Sequence, residues 1–137
     1  MGPSPRRWAH LHSRSRHQPD SVTTADRALT PLTLADVADA ARLRCSASAD
    51  DVRRAELGQF FTPSVVAQFM ASLFAPRRQI RLLDPGAGVG SLTAAFVHTA
   101  LAWPRPPADL AVVAFEADVR LLPALRETLE ACRGACA

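Results

Sequence analysis

Leu82-Leu83-Asp84-Pro85-Gly86-Ala87-Gly88-Val89-Gly90-Ser91-Leu92 ends a short apolar run on an acid and then opens a turn on three alternating glycines. The run Ile80 to Leu83 reads as a buried strand, and Ser91 to about Ala102 reads as a helix with Leu92, Ala95, Phe96 and Thr99 on one side. Strand, glycine turn and helix together form the opening of a nucleotide-type binding unit, whose ligand lies outside the carboxyl end of the strand. Gly86 and Gly88 let backbone come close to a ligand, and Gly90 lets the helix sit near the strand. The helix start adds N–H donors and the positive end of its dipole.

Working outward, Trp103-Pro104-Arg105-Pro106-Pro107 reads as a loop. Leu110 to Phe115 reads as a second buried strand ending at Glu116, and Val119, Leu122, Leu125 and Leu129 mark a further helix. Strand–turn–helix–strand–helix over 80–131 predicts the first half of a parallel α/β sheet. Upstream, Thr62-Pro63 predicts a helix start, with Thr62 as cap and Val65, Val66, Phe69, Met70 and Leu73 as its core face. A short helix is expected over Asp51–Leu57. Leu34, Val37, Ala38, Ala41 and Leu43 predict an earlier one capped by Thr33. Residues 1–30, rich in Pro, Ser, Arg and His, read as a disordered basic leader.

Asp84 and Glu116 sharpen the ligand. A carboxylate two residues before the first glycine repels phosphate and suits an ammonium group. An acid ending the second strand can accept both ribose hydroxyls. The dinucleotide pattern sets that acid about 20 residues past the glycines, whereas Glu116 stands 30 residues past Gly86. Taken alone, Asp84 reads as a turn cap and Glu116 as a solvated strand end. Taken as a pair around the turn, they describe S-adenosylmethionine better than a nicotinamide dinucleotide. A P-loop is excluded, because the chain has no Lys.

Composition closes other routes. The chain has 137 residues, net charge +3 and 48% hydrophobic residues, enough for one modest core. Much of the positive excess lies in Arg6, Arg7, Arg14 and Arg16, so the remainder is not a strongly basic nucleic-acid surface. No apolar run approaches the roughly 20 residues of a membrane helix, and no secretory signal is visible. Cys45, Cys132 and Cys136 read as reduced thiols in a cytoplasmic protein, and His10, His12 and His17 lack companion ligands, so no metal site is expected.

The segments ELGQFFTPSVVAQFMASLF (56–74), IRLLDPGAGVGSLTAAFV (80–97) and AVVAFEAD (111–118), in that order, resemble the adenine-specific DNA methyltransferases of restriction–modification systems. The likeness is to the group whose cofactor region precedes the catalytic region, as in Type I methylase subunits and many Type II enzymes. It implies a partial Rossmann-like S-adenosylmethionine-dependent fold: two parallel strands with helices, after an N-terminal helical segment. The implied boundaries are 1–30 leader, 31–57 helical segment and 58–137 front of the cofactor domain. The resemblance implies that Phe60, Phe61 and Thr62 line the methionine end and that Asp84 orients the ammonium group. Pro85, Gly86, Ala87, Gly88 and Gly90 would form the turn around it. Glu116 would hold the ribose, with Ala117 and Asp118 near the adenine edge. It also implies DNA as partner, with restriction or specificity subunits.

Several family elements are missing, among them the acid after a third strand and any target-recognition region. The Asn/Asp-Pro-Pro-Tyr/Phe segment that binds the flipped adenine does not occur, and Arg105-Pro106-Pro107-Ala108 is no copy of it. No catalytic residue is therefore assigned. The expectation is the front piece of a longer or split enzyme, inactive alone. A methyltransferase of proteins or small molecules, or a non-catalytic fragment acting through a partner chain, stays open as an alternative.

Overall fold

The computed structural model describes residues 9–14, 33–47 and 60–137. The helix expected over Asp51–Leu57, and Gln59, lie outside them. The α/β expectation is borne out, with two parallel strands carrying helices. In chain order the elements are β1 (Ala9–Arg14), α1 (Leu34–Ala47), α2 (Ser64–Ser72), β2 (Gln79–Asp84), α3 (Ser91–Leu101), β3 (Asp109–Ala114) and α4 (Leu122–Ala135).

β2 and β3 pair in parallel, from Gln79 opposite Asp109 to Asp84 opposite Ala114. Parallel neighbours need a long crossover, and α3 provides it. β3 reads Asp-Leu-Ala-Val-Val-Ala and is nearly all buried, as expected of a central parallel strand. Its centrality has a source that the leader reading missed. Ala9–Arg14 forms β1 and pairs antiparallel with β3, giving the order β1-β3-β2. Its six residues lack a strong apolar pattern, so the strand depends on an exposed ladder being present to receive it.

All four helices contribute to one apolar cluster on one side of the sheet. Leu34 and Ala38 come from α1, Ala67 and Ala71 from α2, Phe96 and Val97 from α3, and Cys132 from α4; Ile80, Leu82, Leu110 and Val112 face them. By strand alternation, Arg81 and Leu83 point to the other side, and both are exposed. α3 carries buried residues almost all round, including Thr93, Ala94, Phe96 and Ala100, because it is clamped between sheet and helices.

Two local expectations need correction. Thr62 does not cap α2: Pro63 is the N-cap residue, extended at φ −60 and ψ 147, and no side chain bonds the helix start. Nor is the apolar face of α2 core. Ala67 and Ala71 are the buried residues, whereas Val65, Val66, Phe69, Met70 and Leu73 are all more than two-fifths exposed. Small residues let α2 approach α3 closely, and that turns its large apolar side chains outward. At α1, by contrast, Thr33 caps as expected. Its hydroxyl accepts the Asp36 N–H while the Asp36 carboxylate accepts the Thr33 N–H at 2.8 Å, a reciprocal box. Among the described residues no helix is long and apolar enough to cross a membrane.

Candidate functional site

The glycine turn is held from three directions. From the sheet, the Phe115 N–H donates to the Asp84 carbonyl and the Ala87 N–H to the Phe115 carbonyl, both at 2.9 Å. These bonds extend the β2–β3 ladder past its last strand residues. From the end of β3, Glu116 reaches back: Oε2 accepts the Gly88 N–H and Oε1 accepts the Asp118 N–H, each at 2.7 Å. From the helical side, Val89 is buried with Ala41 of α1 and Leu121, and Phe61 packs against that cluster. The turn therefore arrives preformed at the carboxyl ends of two parallel strands, where such sheets bind ligands.

Its glycines do three different jobs. Gly88 has φ +56, a left-handed conformation, and a Cβ there would lie 3.7 Å from the Phe61 ring. Gly90 has φ +88, and its Cβ would stand only 2.9 Å from Thr128 Cγ2 and 3.2 Å from Leu125 Cδ1. Gly90 thus admits α4, a helix contact in place of the strand contact expected. Gly86 has no positive φ, and a Cβ on it would meet nothing within 4 Å. Its backbone faces open space at the strand mouth, so conformational need does not account for this glycine.

Asp84 is 7% exposed, at the last position of β2. The Thr93 hydroxyl, fully buried, donates to its Oδ2 at 2.8 Å. Burial pushes the Asp84 carboxyl above its ordinary value; the Thr93 hydrogen bond pulls it back, and the Glu116 charge adds to the rise. Thr93 is the site residue that sequence reasoning missed. It lies in the first turn of α3, and no motif marks a hydroxyl nine residues after its acid.

The structure brings Phe61 and Glu116 to Gly88, with Asp84 ending β2 before the turn, Pro85 exposed after it and Ala87 buried against Leu125 and Leu129 of α4. It does not bring Phe60 in: that ring is 90% exposed. Ala117 is exposed beyond Glu116 and Thr62 half-buried before α2. Asp118 is turned inward and paired with the Arg120 guanidinium through both carboxylate oxygens.

The arrangement is one of acceptors. Two carboxylates close enough to feel each other stand at a turn with open backbone at Gly86. Such an acceptor set fits a ligand with a positive charge and vicinal hydroxyls, and opposes a phosphate. Among the described residues no His/Cys/Asp/Glu group could hold a metal ion.

Residues 47–101 match the family described as N-6 DNA Methylase. The chain is 46% identical over 78 residues to the Type II methyltransferase M.BsuBI of Bacillus subtilis, covering 56% of this chain and 15% of that protein. It is 44% identical over 71 residues to the Type II methyltransferase M.PstI of Providencia stuartii, covering 51% of this chain and 14% of that protein. The chain thus spans only a small part of the length of these relatives. No solved structure matches. The resemblance to adenine-specific DNA methyltransferases is borne out over this region.

Proposed function

From a chain whose residues 47–101 match the N-6 DNA Methylase family, we propose that this is the S-adenosylmethionine-binding portion of an adenine-specific DNA methyltransferase. The observation that carries the reading is the Glu116–Gly88 bond. It fixes an acid at the end of the second strand beside a left-handed glycine turn, with Asp84 at the mouth of the first.

Glu116 keeps lone pairs beyond the two amides that it accepts, and these would receive the ribose hydroxyls. Asp84, braced by Thr93, would face the ammonium group of the methionine moiety. Phe61 would wall the methionine side above Gly88, with Thr62 and Phe60 following at the entrance. Pro85, Gly86 and Ala87 would shape the floor, Gly90 would hold α3 against α4, and Ala117 would border the adenine. When bound, the cofactor supplies an electrophilic methyl group. This chain's residues bind and orient it and shield it from water. The acceptor would be the exocyclic amine of adenine in DNA, in a cytoplasmic setting, with restriction or specificity subunits as further partners. The Asn/Asp-Pro-Pro-Tyr/Phe segment that engages the base does not occur in these 137 residues, so none of them is assigned to that half of the reaction.

Calorimetric titration of the folded chain with S-adenosylmethionine tests the reading. Saturable binding, lost in Glu116→Ala, is expected. A folded chain that ignores S-adenosylmethionine, or prefers a nicotinamide dinucleotide, overturns it.

A further inference from the structure

We infer that Arg120, acting through Asp118, is the positioning residue for Glu116, the acid that the proposed function assigns to the ribose hydroxyls. The ribose comes from that reading; the linkage from Arg120 to Glu116 comes from geometry alone. A glutamate side chain turns about three bonds, and Glu116 stands past the last residue of β3. Its aim therefore depends on the two N–H groups it accepts, from Gly88 and from Asp118, each at 2.7 Å. The Gly88 donor is fixed by the glycine turn. The Asp118 donor sits between β3 and α4, in a stretch that belongs to no helix or strand.

What holds that donor is the rest of Asp118. Its side chain is only 3% exposed, against 48% for Arg120. The Arg120 Nε donates to Oδ1 at 2.9 Å, Nη2 donates to Oδ2, and the Arg120 backbone N–H donates to Oδ1 at 3.1 Å. The Asp118 carbonyl accepts the Leu121 N–H at 3.0 Å, and Leu121 is buried with Val89 of the glycine turn. Asp118 is thus tied by side chain and backbone alike, with its N–H aimed at Glu116.

Asp118 has no other task in view. It does not cap α4, whose start takes no side-chain hydrogen bond, and the proposed cofactor contacts leave it unused. An ion pair half in water adds little stability of its own. What a guanidinium fork on both carboxylate oxygens does supply is a fixed orientation. With Oε1 and Oε2 of Glu116 each held by an amide, the remaining lone pairs keep one arrangement. That is the condition for accepting both hydroxyls of a vicinal diol at once. Without Arg120, Glu116 swings, and the ligand loses the gain from its second hydroxyl.

The test titrates the full chain calorimetrically with two probes, S-adenosylhomocysteine and its 2′-deoxy analogue. The parent should prefer the ribose form by about tenfold or more. Arg120→Met should cut the preference to about threefold or less. Arg120→Lys, which keeps the charge without the fork, should fall between. Arg126→Met, an exposed change on α4, should leave the preference unmoved. A second readout needs no ligand: in nitrogen–proton spectra the Gly88 amide, which donates to Glu116, should shift in Arg120→Met in the direction that Glu116→Gln shifts it. Asp118→Asn combined with Arg120→Met removes the buried charge along with its partner, and it carries both measurements if Arg120→Met does not fold. A preference that stays intact without Arg120, whatever becomes of overall affinity or melting, overturns the inference. So does an unmoved Gly88 amide, or a double variant that fails to fold. A parent chain that binds neither probe, or both alike, sinks the ribose reading of Glu116, and the Gly88 amide alone then decides whether Arg120 positions the acid.

Discussion

Glu116 Oε2 accepts the N–H of Gly88 across 2.7 Å, while its other oxygen accepts the N–H of Asp118 at the same distance. One side chain thus joins the turn after β2 to the segment after β3. The bond makes the candidate ribose acceptor a structural latch as well, so ligand and fold share the same carboxylate.

Replacing the latch should therefore affect two properties at once. Glu116→Gln keeps the shape but offers one acceptor oxygen to two amides and turns an N–H₂ toward the other. A stability loss of about 1–3 kcal/mol is expected in urea unfolding, together with weaker S-adenosylmethionine binding. Lost binding at unchanged stability would mean that the bond to Gly88 does not hold the turn.

Asp84 carries a pH signature. Its folded carboxyl is raised above the ordinary 3.8, so between that value and the folded one the native state binds more protons than the unfolded chain. Stability from this group is present at low pH and falls as pH rises through the folded value. Asp84→Asn should flatten that decline and raise the melting temperature at neutral pH while removing cofactor binding. Thr93→Val, which strips Asp84 of its hydroxyl partner, should steepen it; Thr93→Ser should restore it. A pH profile unmoved in both Asp84→Asn and Thr93→Val would discard the coupling.

The glycines should separate cleanly. Gly90→Ala places a methyl 2.9 Å from Thr128 Cγ2 at φ +88 and should destabilise by about 1–3 kcal/mol. Gly86→Ala meets no neighbour within 4 Å and should stay within about 0.5 kcal/mol of the parent. Any defect of Gly86→Ala belongs to ligand approach, read by titration. Equal destabilisation of the two would contradict the geometry.

Removing residues 1–14 strips β1 from β3 and exposes the Asp109–Ala114 ladder. A lower melting temperature and faster amide exchange in β3 are expected. Melting and exchange indistinguishable from the full chain would mean that the strand contributes nothing.

The parallel pair, the glycine turn and both acids were legible in the sequence because they depend on local pattern and on one conserved physical need, a strand mouth open to a ligand. Other features escaped for specific reasons. β1 exists only through its partner ladder, and Ala9–Arg14 announce little by themselves. The stripe Val65, Val66, Phe69, Met70 and Leu73 has the period of a core face, and periodicity cannot tell a face buried within the chain from one left outside. Thr93 was hidden by its distance from Asp84 along the chain. Phe60 and Phe61 are neighbours of one chemistry, yet the backbone turns one toward Val89 and Gly88 and leaves the other in water.

The burial of Cys132 has a use of its own. This thiol is completely covered on the inner face of α4, and burial pushes it up to about 12, while Cys45 on α1 is only half-buried. Near neutral pH Cys132 holds almost no thiolate, the form that reacts with alkylating agents. Its modification must wait until α4 parts from the sheet. The rate at which this single sulfur is alkylated is therefore a clock for the opening of the core, carried within the native sequence and needing no introduced probe.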